Sequence, residues 1–332
     1  MSRQEKPVRT QLNKYKEGRS SRPSSDSRRK QDQATGNILF VVTLLPMILV
    51  MLITVALAMR FWPILKEYPL WELVSGAVWK PMQGKFGFWP FIAGTFWVTV
   101  VGVGLAVPPC ILTALYLSEY ARATTRALMK PLLDLLAAIP SVVYGVWGVV
   151  AIVPFVGDTL SPFCEKYLGF IPLFTSKNPT GYSILAGSIV LAVMIAPFII
   201  AVTYEVLATV SQGLREASLA VGATRWQTIR AIVIRQTMPG IMAGVVLGAT
   251  RALGETMAVL MVVGNVPQVP KSIFDTAYPL PALIANNYGE MMSIPLYDAA
   301  LLGAAFMLLF IILVFNIAST LVLQRMLGKR WV

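Results

Sequence analysis

The chain has no histidine and only two cysteines in 332 residues. Histidine-based acid–base catalysis and histidine metal ligation are therefore excluded. Cys110 lies in an apolar run and Cys164 in an intervening loop, an arrangement that supplies neither a metal-binding spacing nor a disulfide framework. Charge is scarce as well: Asp, Glu, Lys and Arg make up 13% of the residues, about half of what soluble domains carry. No paired-carboxylate or Ser/Lys constellation stands out, so an intramembrane enzyme gains no support. No internal repeat is visible either, which removes the usual sign of an inverted-repeat secondary transporter.

Apolar sequence is abundant. Hydrophobic residues reach 56% and the mean hydropathy is +0.67. Several apolar runs reach about 20 residues, enough to cross a hydrocarbon core of roughly 30 Å. They come as long runs and not as short alternating segments, so strands are not expected. The fold class is all-α integral membrane, with six transmembrane helices at 38–61, 90–117, 132–156, 183–208, 240–264 and 298–324. Pro108, Pro109, Pro140 and Pro197 fall in or near span ends, where neighbouring helices can satisfy the freed carbonyls.

Basic residues set the expected orientation. With the N-terminus inside, the segments 1–36, 118–131, 209–239 and the C-terminus carry 20 Lys and Arg, against six in the opposite loops. That bias places both termini in the cytoplasm of a multi-pass protein. It also accounts for the net charge of +12 without nucleic-acid binding. Residues 1–36 hold ten basic and four acidic residues and almost nothing apolar, the composition of a disordered tail. Such a tail enforces topology or rests on anionic membrane lipid. The chain divides into this tail, a first span with its outer loop (37–89), a permease core (90–325) containing the 209–239 loop, and a C-terminal end (326–332).

The 209–239 loop is polar between two apolar blocks. Glu216 opens a short amphipathic stretch that Gly222 ends, because glycine accepts the left-handed conformation of a helix terminus. After Ala223, Thr224 and Gln227 have the T-x-x-Q spacing of a capping box, which predicts a second helix through Arg225, Trp226 and Ile229. Glu216, Ala217 and Gly222 match the E-A-A-x-x-x-G loop of ABC-importer permeases. The resemblance implies that Glu216, Ala217, Gly222, Ala223, Thr224 and Trp226 form coupling helices that dock into an ATPase subunit. Ser218 stands where that pattern has Ala. Arg235 stands where it often has Pro, so Pro239 is a second candidate for the end of the loop.

The fifth span carries Gly240, Gly244 and Gly248, a small-residue ridge that lets helices pack closely. Arg251 and Glu255 follow. On one continuous helix they lie about 60° and 20° from Gly248 and form an i, i+4 pair near mid-membrane. An ion there faces protein or a water-filled path. Two readings stay open: the charges neutralise each other and support packing, or they line a substrate path. A guanidinium suits an oxyanion because its planar fork donates two hydrogen bonds. Ser141 and Tyr144 of the third span are further path candidates, with Tyr144 also able to donate a hydrogen bond between helices. In the outer loops Asp275, Asn286, Asn287 and Glu290 are candidates for meeting a soluble partner.

Four runs make the resemblance specific: R-A-L-G-E-T-M-A-V-L-M-V-V-G-N (Arg251 to Asn265), L-L-A-A-I-P-S-V-V-Y-G-V-W-G (Leu135 to Gly148), L-I-A-N-N-Y (Leu283 to Tyr288) and A-L-Y-L-S-E-Y (Ala114 to Tyr120). Over residues 37–325 the chain resembles the C-type permease subunit of Pst phosphate importers of the bacterial inner membrane. The resemblance implies an A-type permease partner, an ATPase dimer, a periplasmic phosphate-binding protein, and passage of phosphate near Arg251 and Glu255. It implies no cofactor on this chain, ATP being bound by the ATPase partners, and no catalysis by the chain itself. Other oxyanions such as sulfate or molybdate remain open on charge alone. The loop speaks against a stand-alone secondary transporter.

Overall fold

In the computed structural model the chain is almost wholly helical, and the structure describes residues 25–175, 178, 180–289 and 295–328. The elements in order are α1 (Ser25–Glu67), α2 (Leu70–Ser75), a hairpin β1 (Trp79–Lys80) and β2 (Lys85–Phe86), α3 (Trp89–Tyr120), α4 (Ala123–Ala138), α5 (Ser141–Leu168), α6 (Ile184–Ala208), α7 (Gln212–Ala220), α8 (Arg225–Leu253), α9 (Met257–Val262), α10 (Leu280–Asn287) and α11 (Pro295–Gly328). Among the described residues, six helices are long and apolar enough to span a membrane: Gln33–Glu67, α3, α5, α6, α8 and Leu296–Met326.

Contacts divide the chain into residues 1–56 and residues 57–332. In the first unit, α1 begins at Ser25, so residues 25–36 are helical and not disordered as their composition suggests. Extending an existing helix is far easier than nucleating one, so the apolar span carries its polar lead-in. The second unit starts at Leu57. Phe61, Ile64 and Leu73 are buried with Phe91, Tyr278, Leu280 and Leu301. Residues 57–89 therefore belong with the permease core and do not stand apart from it.

Three sequence expectations shift. First, a two-rung hairpin exists, pairing Trp79 with Phe86 and Lys80 with Lys85. Two residues a side are too few to show as alternation, and edge-on packing of Trp79 against Phe86 and Phe91 holds the hairpin to the core. Second, the third span is not one helix over 132–156. The helix stops before Pro140, because proline pushes the residue ahead of it out of α geometry and Ile139 is extended. The span proper is α5, and α4 precedes it. Third, the fifth span does not start at Pro239. Helix α8 runs unbroken from the polar loop at Arg225, with Pro239 inside it and a widened turn over Ile229–Val233 ahead of the proline.

The centre of the second unit is the contact of α3 with α6. Gly102 lies against Leu191, the Ser188 hydroxyl donates to the Val98 carbonyl at 3.1 Å, and the Cys110 thiol points to the Ala196 carbonyl at 3.7 Å. Interhelical hydrogen bonds of this kind contribute on the order of 0.6 kcal/mol each. Close packing of small residues therefore carries most of the contact. Cys110 and Cys164 are both free thiols.

Candidate functional site

The loop between the fourth and fifth spans is a helix–turn–helix. Helix α7 begins at Gln212, so Glu216 lies mid-helix and exposed and does not open the stretch. Its C-terminus closes on Gly222, at φ 87°, with Gly222 N–H bonded to the Leu219 carbonyl and Ala223 N–H to the Ser218 carbonyl. This is a Schellman closure, which satisfies carbonyls a helix end leaves open. Two residues on, the Thr224 hydroxyl accepts from Gln227 N–H at 3.3 Å while Gln227 Oε1 accepts from Thr224 N–H at 2.8 Å. The Ser218 and Thr228 hydroxyls join the two helices at 2.9 Å. At the tip Glu216, Ala217, Trp226 and Val221 are exposed, Val221 by 84%. Leu214, Leu219 and Val221 are also exposed apolar residues of this loop, which the motif did not single out. Their signal was an apolar residue in an otherwise polar loop.

Further along α8 the glycines face α6. Gly240 meets Val206, Gly244 meets Val202 and Gly248 meets Ile199. A Cβ on Gly240 would stand 2.4 Å from Val206 Cγ1, and one on Gly248 2.7 Å from Ile199 Cγ1.

Arg251 and Glu255 do not share a helix. Helix α8 ends at Leu253, Gly254 caps it, and residues 254–256 lie between α8 and α9. The Glu255 carboxylate accepts the Ala258 N–H at 3.3 Å, so it caps α9 in place of pairing with Arg251. Among the described residues the ion pairs are Arg60–Asp298 and Arg215–Glu119. The side chains diverge. Arg251 is exposed. Glu255 lines a small cavity with Thr95 and Thr99 of α3. Tyr144 is buried and donates to the Leu136 carbonyl at 2.9 Å, a second bond to an acceptor that otherwise holds only the Ile139 N–H at 3.3 Å. Ser141 is half-buried at the start of α5. The structure thus commits Tyr144 and Glu255 to backbone groups and leaves Arg251 exposed. It also uncovers Gly145 and Gly148, which let α5 approach α9: a Cβ on Gly145 would reach 3.3 Å from Ala258 Cα, and one on Gly148 2.7 Å from Val262 Cγ1. The spacing of these two glycines in Y-G-V-W-G was the available signal.

The outer-loop candidates serve the fold. Asn286 and Asn287 each donate to the Tyr278 hydroxyl at 2.9 Å, and Tyr297 donates to Asn287 Oδ1 at 2.8 Å. Asp275 Oδ2 accepts the Lys271 and Ser272 N–H groups of its own turn. Glu290 lies outside the described residues.

Six spans, a capped helix pair between the fourth and fifth, and a broken helix at membrane depth define a multi-pass helical permease. A family model described as "Binding-protein-dependent transport system inner membrane component" matches residues 110–328. The chain belongs to this family, and within it to the PstC-type permeases. It is 38% identical over 255 residues to the "Probable ABC transporter permease protein YqgH" of Bacillus subtilis, covering 75% of this chain and 77% of that one. It is 34% identical over 299 residues to the phosphate transport system permease protein PstC of Mesorhizobium japonicum, covering 88% and 90%. Among solved structures, a bacterial ABC transporter involved in the import of the acidic polysaccharide alginate matches in fold. Its TM-score is 0.56 at 19% identity, over 88% of this chain and 98% of that chain.

Proposed function

We propose that the chain is a transmembrane permease subunit of an ATP-driven phosphate importer of the bacterial inner membrane. The single observation that carries this reading is the capped, exposed helix pair of the 209–239 loop, in a chain whose relatives are phosphate transport permeases. The subunit pairs with an A-type permease and rests on two ATPase subunits. It receives phosphate from a periplasmic binding protein. It carries no cofactor and performs no covalent chemistry, since ATP is bound and hydrolysed by the partners. Both termini face the cytoplasm, as the basic residues require.

In this reading ATP-driven closure of the ATPase dimer moves the loop and opens the path first to one side and then to the other. Irregular backbone is tolerated at membrane depth where it lines a cavity or is buried in protein, and residues 254–256 provide such a stretch. Arg251, exposed in the last turn of α8, is the residue we assign to the oxyanion, because its planar guanidinium can donate two hydrogen bonds. Tyr144 and Ser141 of α5 are assigned to the same path. Glu255 acts from behind, holding α9.

The test is uptake by the complex of both permeases and the ATPase, reconstituted in ATP-loaded vesicles with the binding protein outside. Phosphate uptake that needs ATP and the binding protein, and that excess sulfate leaves unchanged, is the expected result. Uptake of sulfate or molybdate in place of phosphate would reassign the substrate. Uptake without ATP would overturn the importer reading.

A further inference from the structure

The 209–239 loop is held to the bundle at a place that none of its motif residues occupies. Over Tyr116–Tyr120 the end of α3 widens, the Ala121 N–H reaching back to the Tyr116 carbonyl at 2.9 Å. This turn presents Glu119 and Tyr120 side by side, and each is engaged by a different helix of the loop. From α7, Arg215 donates through Nη2 to Glu119 Oε1 at 2.9 Å and to the Leu207 carbonyl, in the last turn of α6, at 3.0 Å. Ser118 adds its hydroxyl to the same carboxylate oxygen at 3.1 Å. The Glu119 side chain is only 8% exposed, so the pair is largely withdrawn from water. From the start of α8, Arg225 sets its guanidinium over the Tyr120 ring, 5.3 Å from the centroid. The Ser218–Thr228 contact closes the circuit between α7 and α8.

We propose that Arg215 and Arg225 are positioning residues that clamp both loop helices to the end of α3, so that the loop, α3 and the end of α6 move as one lever. The proposal rests on the importer reading, which makes the loop the receiver of the ATPase's motion. Glu119 is sheltered, and a sheltered carboxylate without its partner is strongly unfavourable, so the turn and α7 stay together. One guanidinium nitrogen, Nη2, serves a carboxylate on α3 and a carbonyl on α6. A lysine ammonium can donate to both, but from a flexible stem and not from a planar group that fixes the two N–H directions. Beyond the clamp α3 and α6 are already locked by Gly102 against Leu191 and by Ser188 on Val98. A displacement of the loop is therefore delivered to two spans at once.

The experiment uses the complete transporter and follows ATPase co-purification, ATP hydrolysis and phosphate uptake together. Arg215→Met is expected to keep the ATPase bound and hydrolysing while uptake per ATP falls about ten-fold, the scale of a typical coupling energy. Arg215→Lys should recover part of that loss. Arg225→Leu should lower uptake per ATP by about three-fold, within the range of an exposed cation–π contact, and should have no further effect in a Tyr120→Leu background. Wild-type uptake per ATP in Arg215→Met would overturn the clamp. So would an undiminished effect of Arg225→Leu when Tyr120 is already leucine, a comparison that holds even if Arg215→Met fails to assemble. Hydrogen exchange at residues 116–121 reads the clamp without transport. Those amides should exchange faster in Arg215→Met, and unchanged exchange would also overturn it. A wild-type complex that takes up no phosphate, with the exchange difference intact, would count against the importer reading alone.

Discussion

At the residue scale, the decisive change is the fate of Arg251 and Glu255. Spacing makes them neighbours on one helix, and Gly254 separates them. A charge that caps a backbone N–H behaves differently from one that neutralises a guanidinium, because it no longer depends on its sequence neighbour. Arg251→Gln is accordingly expected to leave complex yield near wild type and to suppress ATP-dependent phosphate uptake, with lysine restoring it only in part. Glu255→Gln removes the charge from the α9 cap and should lower thermal stability by about 0.5–1 kcal/mol. The double variant should show the sum of the two effects to within about 0.5 kcal/mol, as sites without a shared partner do. Recovery of uptake in the double variant would mean that the two charges pair after all.

At the element scale, α8 is one continuous helix from the polar 209–239 loop to Leu253, and its glycines let it lie against α6. The Cβ positions argue that bulk is refused there, and the neighbour at Gly240 is a branched side chain, Val206, whose χ1 rotamer is restricted in a helix. Gly240→Val should reduce the yield of folded complex, with overpacking of about 1–3 kcal/mol. Val206→Ala in the same chain should recover most of it, because the added methyls then occupy the vacated space. Yield and thermal midpoint of the purified complex check both statements. A Gly240→Val variant of normal stability would show that α8 and α6 do not depend on this contact.

At the scale of the whole molecule, orientation follows from where the basic residues lie. In cells lacking Cys110 and Cys164, Ser25→Cys should resist an impermeant thiol reagent until the membrane is opened. Thr175→Cys, exposed in the loop after α5, should react in intact cells. The reverse pattern would invert the topology. In the proposed orientation the clamp at Glu119 and Tyr120 would lie on the ATPase side and the Tyr278–Asn287–Tyr297 network on the binding-protein side. The permease core thus has a hydrogen-bonded brace at each face and its irregular backbone between them.

The sequence by itself determined the elements that depend on neighbours along the chain. Apolar run length set the number of spans. Thr224 and Gln227, three residues apart, set the start of α8, and Gly222 set the turn before it, since caps and left-handed turns need only local partners. The glycine spacing of 240, 244 and 248 marked a packing face without saying what it met. The tertiary structure alone decided where helices end inside the membrane. Pro140 reads as a tolerable interruption and Gly254 as part of a continuous span, whereas in the structure both mark breaks, with Tyr144 and Glu255 bonded to backbone groups beside them. It alone decided the partners of long-range contacts as well. Glu119 and Arg215 stand 96 positions apart, and no period or motif joins residues whose encounter depends on the folding back of two whole spans.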